Sequence, residues 1–124
     1  MSEKGYPCPC CGHLVFDGPP GSVDICLICF WEDDRNQLRW PSLAGGANAV
    51  SLLEAQQNFA TFGAIEQRFA SDVSPPTENQ PLDPTFRPIA VTDNFEAPDE
   101  SAPWPDDLTT LYYFRPTFWR SVVN

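Results

Sequence analysis

The stretch YPCPCCGH, residues 6–13, sets three cysteines within four positions, and ICLICF, residues 25–30, holds the other two. A tetrahedral metal takes four ligands, a disulfide two and a nucleophile one. Cys8 and Cys11 form one C-x2-C pair and Cys26 and Cys29 a second, with fourteen residues between the pairs. Zinc sites of this kind separate their pairs by about 15–20 residues, so the interval is one short, which a tight hairpin accommodates. Pro9 fixes the backbone after the first ligand, and Gly12 permits the turn that aims both sulfurs at one point. Two facing pairs supply four thiolates at Zn–S distances of about 2.3 Å. Cys8, Cys11, Cys26 and Cys29 are therefore the expected ligands of one structural zinc ion. Iron would fit the same sulfurs, and a red protein absorbing visible light would reveal it.

Cys10 is the extra sulfur. It reads first as a small residue that fits the knuckle, and second as an accessory thiol whose pKa a neighbouring metal would lower. A redox C-x-x-C opens a helix within an α/β pattern, and no such pattern surrounds these residues. His13, the only histidine, reads as a hairpin residue, and a lone histidine leaves little room for an acid–base triad. A closed four-thiolate site keeps no position open to water, so the chain is expected not to be an enzyme.

At 124 residues the chain is one domain or one small module with an appendage, and its thin core makes a metal cross-link valuable. No basic N-terminal region leads into an apolar stretch, and the longest apolar run, residues 25–31, is too short to span a bilayer. The expectation is a cytoplasmic protein, where thiols stay reduced and clustered cysteines bind metal. The formal net charge is −10, from 17 acidic and 7 basic residues. A phosphate backbone needs clustered Lys and Arg. Here the cations are scattered, so nucleic acid is a disfavoured partner and a basic protein surface a better one.

Three segments follow from composition: a zinc-binding module over residues 1–71, a Pro-rich acidic extended segment over 72–105, and an aromatic segment over 106–124. Eight of the 14 prolines fall between Pro75 and Pro105. Within the module, HLVFD and SVDIC flank the turn GPPG (18–21) and read as a β-hairpin joining the two cysteine pairs. Ser51 and Glu54 make a capping box, and Leu52, Ala55, Phe59 and Phe62 form one helical stripe ended by Gly63. AIEQRFA adds a short turn or second helix. GGAN (45–48) supplies positive-φ positions before the helix. The aromatic, β-branched LYYFRPTFWRSVV (111–123) reads as strand. The fold class is thus small α+β: a zinc-ribbon-like knuckle hairpin, one or two helices, and an extended C-terminal segment packing back as strand.

CPCCG, the PPGS-type turn, ICxxCFWEDD and GGAN before SLxEA together resemble the bacterial cysteine-rich CPCC family over residues 6 to about 69. The resemblance implies a small zinc-binding domain of largely undefined activity, its cysteines falling on Cys8, Cys10, Cys11, Cys26 and Cys29. Trp31 of WEDD would cover the metal site. Glu32, Asp33 and Asp34 would cap a turn, pair with Arg35 or Arg39, or contact a partner.

The leading functional expectation is a non-catalytic, zinc-stabilised protein-interaction module, in concrete form an immunity protein neutralising a basic bacterial toxin. Its candidate contact residues are Glu32, Asp33, Asp34, Trp104, Asp106, Asp107, Tyr113 and Phe118, although burial against the zinc module is the simpler role for most of the C-terminal aromatics. The second expectation is a zinc-ribbon nucleic-acid binder using Arg35, Arg39, Arg68, Arg115 and Arg120, with Lys4 and Arg87 peripheral. The third is a thiol-based redox sensor or enzyme using Cys10.

Overall fold

Strands β1 (Tyr6–Pro7) and β2 (Leu14–Phe16) pair antiparallel, Tyr6 opposite Phe16 and Pro7 opposite Leu14, with an irregularity between. The computed structural model describes residues 5–120. The hairpin therefore closes around the first knuckle. It does not join the two knuckles across GPPG, as the sequence pattern suggests, and SVDIC forms no strand. Each knuckle is itself a tight turn that ties its own flanks together. An isolated bridge pairs Ile25 with Glu32 around the second knuckle, and the Asp33 N–H donates to Asp24 O.

Two helices follow. Asp34 caps the short helix α1 (Arg35–Arg39), its carboxylate accepting from the Asn36 and Gln37 N–H groups. Ser51 caps α2 (Leu52–Phe62) through the Glu54 N–H, and Gly63 ends it at φ +79°. On α2, Leu52 and Ala55 are fully buried, Phe59 packs partly against the core and Phe62 is exposed. AIEQRFA yields only a 3-10 turn, Gln67–Phe69. In GGAN, Gly45 alone has positive φ. Gly46 serves instead for close approach, since a Cβ there would meet Asp34 Oδ2 at 2.7 Å.

The loop over GGAN is fixed from inside by Gln37, fully buried on α1. Its Nε2 donates to the carbonyls of Leu43, Asn48 and Val50, and its Oε1 accepts from both nitrogens of Asn48. A buried amide is tolerable only when satisfied in this way.

The Pro-rich segment runs as an irregular strap over the knuckles, interrupted by turns such as those closed by the Gln80, Phe86 and Asp93 N–H groups. Leu14 N–H donates to Pro81 O, Asp83 N–H to Gly12 O, and Ser74 N–H to Leu27 O. The C-terminal segment is not strand in its described part. Leu108–Leu111 is a 3-10 turn, and residues 112–120 continue as turns; Ser121–Val123 lie outside the described residues. Strand propensity loses here because Leu111, Tyr112, Tyr113 and Phe114 are all buried in succession, which breaks the in–out alternation of a strand. Pro116 also removes a ladder donor. These four side chains share one core with the cysteines, Trp31, Leu38 and Leu52. Among the described residues no helix is long and apolar enough to cross a membrane.

Candidate metal centre

The two knuckles are built alike. In the first, Gly12 N–H donates to Cys8 O at 2.7 Å and Cys8 N–H to His13 O at 2.9 Å. In the second, Phe30 N–H donates to Cys26 O at 2.7 Å and Cys26 N–H to Trp31 O at 2.8 Å. The residue after each second cysteine turns to positive φ, +82° at Gly12 and +77° at Phe30. Glycine is required at the first position, since a Cβ would collide with the Phe86 ring. Phe30 takes the strained conformation with its ring against Phe69, centroids 4.7 Å apart.

The turns bring the Sγ atoms of Cys8, Cys11, Cys26 and Cys29 within 4.8 Å of one another. Cys8 and Cys29 sulfurs are 3.5 Å apart and those of Cys11 and Cys26 3.7 Å. Four thiolates at about 2.3 Å around a tetrahedral ion stand roughly 3.8 Å from each other, so the donor set fits a four-sulfur metal site. All five cysteines are free and buried.

The electrostatics make the same demand. Burial pushes the Cys8 and Cys29 thiols well above their ordinary pKa, while hydrogen bonds from Cys11, Cys29 and Cys8 push Cys26 down. Four buried negative charges require a cation among them.

A family model described as "Cysteine-rich CPCC" matches residues 6–80. The chain belongs to the cysteine-rich CPCC family. No curated protein matches it. The CPCC match reaches into the strap, as far as Gln80. There Nδ1–H of His13 donates to Gln80 O at 2.8 Å, so the histidine anchors strap to hairpin.

Cys10 stays outside the four-sulfur group, 3% exposed, with Cys29 as its hydrogen-bonding neighbour and its thiol pushed up by burial. That environment is the opposite of a reactive thiol's. The expected contact residues are scattered. Asp33 is buried, its Oδ2 accepting from Ser22 N and Oγ, and Tyr113 is buried against Phe114 and Phe95. Asp34 is taken up in capping α1, and Phe118 packs on Phe95. Asp106 and Asp107 are exposed, Asp107 capping the last 3-10 turn. Glu32 is half-buried.

Trp104 belongs to a cage not foreseen from sequence. The Arg39 guanidinium lies 4.5–4.9 Å from the ring centroids of Trp40, Trp104 and Trp119, and its Nε donates to Glu96 at 2.7 Å. Gln56 is a second unforeseen element. Its amide donates to Pro9 O and the Tyr113 hydroxyl and accepts from Ile89 N–H, joining knuckle, strap and C-terminal segment. Its place on the apolar stripe of α2, four after Leu52, was the available signal.

Proposed function

We propose that the chain is a non-catalytic protein-interaction module whose fold is held by one structural zinc ion on Cys8, Cys11, Cys26 and Cys29, and that its partner is a basic protein. The observation that carries the reading is the closed, buried nest of four sulfurs within 4.8 Å. Such a site supplies folding energy, on the order of 10 kcal/mol in small zinc modules, and no open coordination position.

The charge supports the partner class. Against 17 acidic residues, most cations among the described residues are engaged in ion pairs: Arg115 with Asp83, Arg87 with Asp93, Arg68 with Glu66, Arg120 and Arg39 with Glu96. Arg35 lies over the Trp104 ring. Nothing in this pattern assembles a phosphate-binding face, which sets the nucleic-acid reading second.

A concrete form is an immunity protein acting in the cytoplasm on a basic toxin. X-ray absorption should show four Zn–S contacts near 2.3 Å, and elemental analysis one zinc per chain. Iron, or no metal, in freshly purified protein would remove the zinc scaffold. Co-expression with a toxin encoded beside this chain should restore growth. Failure to restore it would remove the immunity role and leave the scaffold standing.

A further inference from the structure

Three large apolar residues stand exposed at two-residue spacing on the run into the second knuckle: Val23 (66%), Ile25 (46%) and Leu27 (60%). Three hollows border this ridge, and each carries carboxylates. One of about 610 Å³ is lined by Val23, Asp33 and Asp34; one of about 280 Å³ by Ile25, Leu27, Asp17 and Asp24. The third, about 110 Å³, lies among Ile25, Phe30, Phe69, Glu32 and Glu66. The Asp24 and Glu32 carboxylates make no hydrogen bond or ion pair among the described residues. Two cations stand at these same hollows: Arg35 lines the first and lies over the Trp104 ring, and Arg68 lines the third and pairs with Glu66, which leaves Asp24 and Glu32 as unpaired carboxylates beside the ridge.

Val23 adds a separate indication. It holds φ +58°, a conformation that is a true outlier for a β-branched residue. Its exposed side chain returns little burial, so glycine or asparagine would serve the fold better there. Apolar groups kept at strain on a surface suit contact with another molecule.

We propose that the Val23–Ile25–Leu27 ridge, with Asp24 and Glu32 beside it, docks a cationic amphipathic segment of a partner protein. The partner's apolar side chains cover the ridge and its Lys or Arg side chains enter the bordering hollows. This rests on the reading of the chain as an interaction module and places the contact face on the second knuckle, away from the C-terminal aromatics. A second exposed apolar groove, between Leu53 and Val91, lacks the charge for this occupant, because its Asp93 and Glu96 are bound to Arg87, Arg39 and Arg120.

The test places a photo-crosslinking amino acid at Ile25, or at Val91 as the comparison, in the full zinc-loaded chain within the source cell. Adducts are expected from position 25 and not 91, on a peptide that interleaves Lys or Arg with apolar residues. A synthetic copy of that peptide should bind the wild type at least tenfold more tightly than Val23→Ser/Ile25→Ser/Leu27→Ser or Asp24→Lys/Glu32→Lys. Both variants should retain zinc and melting temperature; should the first lose either, the charge-reversed variant decides. Adducts from Val91 alone would overturn the ridge and leave the interaction module intact, while none from either position would count against both. An acidic peptide, or a second copy of this chain, crosslinked at Ile25 would overturn the proposed occupant, as would equal binding by the charge-reversed variant.

Discussion

Cysteine positions divide sharply by role although all five side chains are buried. On the zinc-scaffold proposal, Ala at Cys8, Cys11, Cys26 or Cys29 would remove one of the four charges around the ion, and each variant should lose bound metal and native circular dichroism. Cys10→Ala should keep both, at a cost of about 1 kcal/mol for a small buried group; native mass spectrometry and urea unfolding separate the two classes. Asp33 gives a pH signature. Burial raises its pKa to about 6, above the unfolded value of about 3.9. The native state holds the extra proton between those values, so this group's contribution to stability falls as pH rises from about 4 to 6. Asp33→Asn removes that slope and can still accept from Ser22. Its stability relative to wild type should improve across that window and level off above it, as urea unfolding at pH 4.5 and 7 would measure.

At the scale of elements, helix α1 has five residues, too few to stand without its cap and its packing. Asp34 serves twice, capping the helix and accepting from the Ala47 N–H at 2.9 Å in the following loop. Asp34→Ala should therefore cost about 1–2 kcal/mol, the upper part of the range for a cap, without changing zinc content. Chemical denaturation with parallel metal analysis checks both halves of that expectation. α2 is the better-specified helix, with Ser51 and Gly63 at its ends. Both were legible in sequence because capping chemistry is local.

For the whole molecule, the Arg39 cage decides whether the C-terminal segment stays docked. Arg39 comes from α1, Glu96 from the strap, and Trp104 and Trp119 from farther along the chain. The Arg39 side chain is 1% exposed, and its Nη atoms have no hydrogen-bond acceptor and face aromatic rings instead. Arg39→Ala should cost about 1–3 kcal/mol, since it empties the cage but leaves Glu96 partly exposed and paired with Arg120. A red shift in tryptophan emission would accompany release of the segment, with zinc retained by the module. Unchanged emission would show that the cage does not hold the segment.

The clustering of four cysteines, the caps of α2, the lack of helix in the Pro-rich segment and the excess of acid were all legible in the sequence. Each depends on residues within a few positions or on composition alone. The hairpin's place around the first knuckle, the turns of residues 112–120 and the burial of Asp33 and Tyr113 were settled only in three dimensions. Those outcomes depend on what packs on what, and four consecutive buried residues, Leu111–Phe114, have no period to announce their partner. The same holds for the ridge at Val23, Ile25 and Leu27. In sequence it is a short apolar run like any core segment, and only the tertiary structure leaves its side chains facing solvent, the strap meeting this run at the Leu27 carbonyl.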